Sequence, residues 1–207
     1  DRRLQSIGLE NTVATLGTAW NENQFEILKH YTSSLCFIPD TDLAKGSPYG
    51  PGFKAVMENG ALAIQKGFNV TVRELPFGLR ELTEEELQEK YEGTIPKDAQ
   101  REVLVKNDAD SYILDMDIYR NLKEKYFIVW MAEKLFAQVD SLAEEGQCVS
   151  RIAGLLRYVK DQMVYTRCIE QLGKIHGKTR LWRSAVEQVR NESKKLSLIH
   201  ISEPTRR

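Results

Sequence analysis

The sequence predicts an α/β domain, a mainly parallel sheet with flanking helices, followed by an all-α helical subdomain. Three observations predict it. Helical and extended patterns alternate through the first third of the chain. One candidate strand, Leu35-Cys36-Phe37-Ile38, is apolar at consecutive positions, as suits a strand covered by helices on both faces. From about Asp117 onward, apolar residues recur at helical spacing. The expected division is 1–116 for the α/β domain, with a surface insertion at 77–105, and 117–195 for the helical part.

The elements follow in order. Arg2 to Ile7 reads as the end of a helix closed by Gly8. Thr12-Val13-Ala14-Thr15-Leu16 is a short apolar run stopped by Gly17-Thr18, which suits a buried strand. Asn21 and Gln24 form a capping box for a helix to about His30. After the strand at Leu35–Ile38, Gly50-Pro51-Gly52 leads into a helix from about Phe53 to Lys66, with Val56, Ala63 and Ile64 inward and Gly67 ending it. Phe68 to Arg73 alternates strictly, which suits a strand with one wet face. Thr83 and Glu86 cap a short acidic helix inside the insertion. The helical part then offers four apolar sets, around Ile128, Ile152, Ile169 and Trp182.

Composition narrows the function. With 42% hydrophobic and 29% charged residues, this is the composition of a soluble globular protein. No apolar run is long enough for a membrane span. The three cysteines are scattered and form no CxxC, which supports neither a disulfide framework nor a zinc site, and makes a cytoplasmic setting the expectation. A net charge of −1 gives no bulk attraction to nucleic acid, so any such binding needs a local basic patch or a metal ion. There is no internal repeat. The closing Leu196–Arg207 stretch breaks the periodicity before it and resembles a translated sequencing adapter; 196–207 is expected to be an artefactual or disordered tail.

Carboxylates carry the chemical signal. Asp40 and Asp42 follow the second candidate strand and, on an extended backbone, point the same way. Such a pair repels itself unless a proton or cation intervenes, and Mg²⁺ with retained waters suits it. A solvated turn suits it as well. Asp108 and Asp110 form a second pair, open to the same metal reading or to capping a helix from about Ser111. Asp115 and Asp117 are better read as caps of the following helix. Lys45 and Lys54 flank the Gly50-Pro51-Gly52 turn, as phosphate ligands or as ordinary surface lysines. The Gly173–Thr179 segment misses the spacing of a phosphate-binding loop by one residue and follows a helix, so it reads as a turn between helices.

An ordered set of blocks resembles a known family. They are Asn11–Ala19, Phe37–Asp42, Gly52–Ala55, Gly67–Val70 with Leu75-Pro76, and Asn107–Tyr112. Together they look like the toprim domain of bacterial DnaG-type DNA primases, over about residues 4 to 115, with a looser match through the helical part. The resemblance implies a toprim-like fold, RNA primer synthesis on single-stranded DNA, and nucleotidyl transfer dependent on two Mg²⁺ or Mn²⁺ ions. It implies Asp40, Asp42, Asp108 and Asp110 as metal ligands, Gly17 and Thr18 as the floor of the site, and Lys54 near phosphate. Nucleoside triphosphates, a template strand and a replicative helicase are the implied partners, with no zinc in this part and no membrane.

The sequence also departs from that family. The glutamate of the EGxxD motif is absent, as are a zinc-binding domain and the basic amino-terminal part. The expectation is therefore a fragment inactive by itself. The insertion and the Tyr49–Gly52 turn resemble primases of mobile elements or phages. Toprim nucleases and topoisomerases are the enzymatic alternatives, and a non-catalytic nucleic-acid-binding or replisome-docking module is the other.

Overall fold

A computed structural model of the chain describes residues 2–14, 20–41 and 50–202. In order, its elements are α1 (Arg2–Ser6), α2 (Glu22–Lys29), β1 (Ser34–Phe37), α3 (Pro51–Gln65), β2 (Asn69–Arg73) and β3 (Gly78–Glu81). Then come α4 (Glu84–Lys90), β4 (Glu102–Val105), α5 (Ala109–Tyr112), α6 (Met116–Asn121) and β5 (Glu124–Tyr126). Four helices close the described part of the chain: α7 (Phe127–Phe136), α8 (Leu142–Leu156), α9 (Gln162–Ile175) and α10 (Thr179–Ser202). They divide into two compact units. One comprises Asp1–Ala19, Ile38–Val56 and Arg73–Lys123; the other comprises Trp20–Phe37, Met57–Val72 and Glu124–Arg207.

In the second unit, β1, β2 and β5 form a sheet in that order, with β1 and β2 parallel and Ser34 opposite Asn69. Val70 and Val72 of β2 are buried and alternate with wetter residues, as the pattern predicts. Gly67, at φ +93°, ends α3 where an L side chain would be strained. Its N–H donates to Ile64 and that of Phe68 donates to Ala63, closing the helix with two crossed bonds. The Asn21–Gln24 capping box forms as expected and starts α2.

β1 differs from expectation. Its residues alternate between exposed and half-buried, and Cys36 faces outward. Among the described residues it lies at an end of the three-strand order. Phe37 packs edge-on to Trp20 at 5.8 Å, Trp20 lies 5.1 Å from Phe25, and Phe25 lies 6.0 Å from Phe68. A row of rings thus ties α2 to the sheet.

The helical expectation from Asp117 also needs one correction. Glu124–Tyr126 is a strand, β5, and it returns the chain to the sheet before α7 begins. The helix-rich part therefore shares its unit with β1, α2 and β2. α7 is apolar around its first two turns, with Phe127 to Ala132 all buried, as a helix surrounded by others must be. α8, α9 and α10 bury Ile152, Ile169 and Trp182. α10 continues to Ser202, past the start of the segment set aside as a tail. From Thr179 to Ser202 there is no glycine or proline to interrupt its hydrogen-bond ladder.

Gly60 is packed against the Phe127 ring: a Cβ there would sit 2.3 Å from a ring carbon that is itself fully buried. Gly60→Ala is expected to lower stability by about 1–3 kcal/mol, despite the better helix propensity of alanine. Urea denaturation with an unchanged or raised midpoint would contradict this.

In the first unit, Leu4, Leu9, Leu75 and Ile113 form a small core, with Ile38, Tyr112 and Met116 packed on it. Arg73 donates to the carbonyls of Tyr119 (2.8 Å) and Leu122 (3.0 Å) and lies over the Tyr119 ring, closing the end of α6. The expected strand at Thr12–Leu16 is not formed in its described part. Residues 12–14 are irregular, Val13 is 64% exposed, and the Thr12 hydroxyl folds back to donate to the Leu9 carbonyl. Residues 15–19 lie outside the described part.

The insertion is more ordered in its fold than its low apolar content suggests. β3 and β4 pair antiparallel, Gly78 opposite Val105. Between them α4 is started by the Thr83–Glu86 capping box and buries Leu87. Arg80 clamps the Glu86 carboxylate with two 2.8 Å bonds, which with the Thr83 amide holds that carboxyl at about 2.

Candidate functional site

The two acidic segments meet within the first unit. Thr41, the residue between Asp40 and Asp42, is fully buried. Its N–H donates to the Asn107 carbonyl at 2.9 Å, and its hydroxyl donates to the same oxygen at 3.1 Å. The Asn107 N–H returns a bond to the Thr41 hydroxyl at 2.6 Å. Asn107 also donates its side-chain amide to the Pro76 carbonyl at 2.8 Å, so the stretch after β4 is held from two sides. Gly78 leaves room for this; a Cβ there would stand 2.7 Å from Val105 and 3.2 Å from the Asn107 side chain. Thr41 precedes Asp42 and Asn107 precedes Asp108, so the pins fix the backbone beside both acidic pairs.

The individual carboxylates have distinct surroundings. Asp40 is half-exposed and ion-paired with Lys106 at 3.3 Å. Asp108 is the N-cap of α5: its Oδ1 accepts the Ser111 N–H at 2.7 Å, and the Ser111 hydroxyl completes a capping box. The Ser111 amide and then its hydroxyl hold the Asp108 carboxyl below the usual range, with Lys106 assisting against slight burial. Asp110 is exposed in the first turn of α5, where it complements the helix dipole. Lys54 is exposed in the first turn of α3. Asp42, Gly17, Thr18 and Lys45 lie outside the described residues.

Among the described residues, no three of His, Cys, Asp and Glu converge as a metal site. Asp40 is already neutralised by a lysine, and Asp108 spends one oxygen on its cap. The described donors therefore do not by themselves fit a divalent ion. What they do form is a pair of acidic segments pinned to each other, with Lys106 ion-paired to Asp40.

Residues elsewhere settle into structural roles. Asp115 caps α6 through the Asp117 and Ile118 amides. The Gly173–Thr179 segment spans the end of α9, the turn and the start of α10, with Gly177 at φ +67°. His176 in that turn is bonded to Glu145 at 2.8 Å. Cys168 is buried, and burial pushes its thiol up to about 12, which makes it unreactive. Thr41 and Asn107 lie in the blocks that carry the resemblance, but no local pattern marks their bond, which spans 66 residues.

Comparison with known proteins adds to this geometry. No family model matches the chain. A stretch of 105 residues, 51% of the chain, is 31% identical to the DNA primase of Staphylococcus aureus strain COL. Half of the chain is homologous to DNA primases. The DNA primase of strain MSSA476 is 30% identical over the same length. The chain spans 15% of the length of these relatives. Among solved structures, a DNA primase domain from Pseudomonas aeruginosa superposes with a TM-score of 0.47 at 19% identity, covering 89% of this chain and 50% of that one. No described helix is long and apolar enough to cross a membrane.

Proposed function

We propose that this chain is part of a primase, an enzyme that joins nucleotides into RNA primers on single-stranded DNA, and that its two acidic loops border the site of that metal-dependent nucleotidyl transfer. The observation that carries this reading is the Thr41–Asn107 pin. It brings together two Asp-x-Asp segments from opposite sides of an insertion, in a chain half of which is homologous to DNA primases. Carboxylates on two neighbouring segments are what a divalent cation and a triphosphate need, and the described ones, Asp40, Asp108 and Asp110, require Asp42 or further groups to complete such a set. Asp40 and Asp42 on one loop, and Asp108 and Asp110 on the other, are the residues assigned to that role. In this reading Lys106 balances the charge of Asp40, which would be one of the residues holding the ion.

Because the chain spans 15% of its relatives' length, binding is a better readout than primer synthesis. Mn²⁺ titrated into the chain by calorimetry is expected to bind, and Asp40→Ala/Asp42→Ala to weaken binding by about tenfold or more. Equal affinity in the two proteins would sink the assignment.

A further inference from the structure

The turn between α9 and α10 carries charge that the acidic loops do not use. From Gln171 to Val186 there are four cations, Lys174, Lys178, Arg180 and Arg183, and no carboxylate, in a chain whose net charge is −1. All four are exposed. Some exposed cations elsewhere are matched, Lys29 with Glu26, Arg80 with Glu86 and Lys106 with Asp40. Among the described residues, none of these four makes an ion pair.

The fold gathers them. Gly173 lies against Thr179, close enough that a Cβ would stand 2.9 Å from the Thr179 amide nitrogen. The backbone that carries Lys174 is therefore close to the backbone that carries Lys178 and Arg180. On α10, Trp182 and Val186 are buried, and Arg180 and Arg183, three apart, share an exposed face. The acids nearest in sequence are Glu170 and Glu187, one at each end of the segment. Glu145 reaches the turn but is bonded to His176. Tryptophan, the aromatic of this segment, is buried, so the surface offers cations without a stacking platform.

We propose that the α9–α10 turn docks the phosphate backbone of single-stranded DNA through Lys174, Lys178, Arg180 and Arg183. The choice of DNA as the polyanion rests on the primase reading above; the cluster itself rests on charge and packing alone. Such a surface binds without sequence preference and positions a strand rather than reading it.

Fluorescence anisotropy with labelled oligothymidylate, at a series of salt concentrations, tests this on the whole chain. Each phosphate neutralised contributes about −0.7 to the slope of log K against log[salt] for single strands. The K174Q/K178Q/R180Q/R183Q variant is expected to flatten that slope by roughly 2 to 3 and to weaken binding at low salt. An unchanged melting temperature confirms that the variant is folded, and single glutamine substitutions, each with a partial effect, serve if it is not. An unchanged slope, or a wild-type chain that does not bind oligothymidylate, overturns the inference. The Mn²⁺ titration separates the two proposals. Metal binding that depends on Asp40 and Asp42 without DNA binding at the turn refutes this inference alone. DNA binding at the turn with unaltered metal binding in the aspartate variant refutes the acidic-loop reading alone.

Discussion

Trp182→Ala is expected to lower the stability of the second unit by about 3–5 kcal/mol, a large share of what a domain of this size has to lose. Trp182 is fully buried on α10 and among the largest side chains in the core. Its ring meets Phe136 of α7 edge-on at 5.9 Å, and Phe136 stacks on His176 at 4.4 Å. Its indole N–H donates to the His176 carbonyl at 2.9 Å, while the His176 ring bonds Glu145 of α8. One side chain therefore helps hold α7, α8 and the end of α9 to α10. Truncation removes apolar contact, leaves a cavity among helices that cannot fully collapse, and strips the His176 carbonyl of its donor. Trp182→Phe keeps much of the volume and loses only the N–H, so its cost is expected to be a fraction of the alanine cost. Urea denaturation followed by far-ultraviolet circular dichroism measures both. Equal midpoints for wild type and Trp182→Ala would mean that the four-helix contact is not built around this residue.

Features set by near neighbours in the chain were legible in the sequence. The Asn21–Gln24 and Thr83–Glu86 boxes, the Asp115 cap and the Gly67 stop each depend on a few consecutive residues, and each is present. The helical faces of α7 to α10 were legible because burial of one side leaves a 3.6-residue period. Strands fared less well. β5 is three residues long, Glu-Lys-Tyr, and has no apolar signature because pairing with β2 rather than burial makes it a strand. Thr12 and Val13 looked like strand, but a side-chain bond to Leu9 competed successfully with sheet pairing.

The candidate site divides the same way. Both aspartate pairs were visible as patterns, but not what fixes them. Asp108 takes the capping reading, at the start of α5 and next to the pinned Asn107. A cap uses one carboxylate oxygen and leaves the other, so capping does not by itself exclude a second role. That Lys106 is Asp40's partner follows only from the long-range fold.

Thr41→Val is the substitution that tests whether the pin matters. Valine has nearly the same shape as threonine, so the buried pocket stays filled. What disappears is a hydroxyl that donates to the Asn107 carbonyl and accepts the Asn107 N–H. The carbonyl keeps the Thr41 backbone N–H at 2.9 Å, whereas the Asn107 N–H loses its 2.6 Å acceptor. Leaving that donor unsatisfied beside a fully buried residue is expected to cost about 1–3 kcal/mol. Thr41→Ser keeps the hydroxyl and should recover most of it. The local consequence is larger than the energy suggests, because the bond spans the backbone between Asp40 and Asp108. Loosening it should raise amide exchange at Thr41, Asn107 and Asp108 while amides of α8 and α9, in the other unit, keep their protection. It should also weaken Mn²⁺ binding without removing a carboxylate. Restoration of tight binding by Thr41→Ser but not by Thr41→Val would identify the hydroxyl as a positioning group. Native exchange rates and native metal affinity in Thr41→Val would show that the acidic loops hold their places without it.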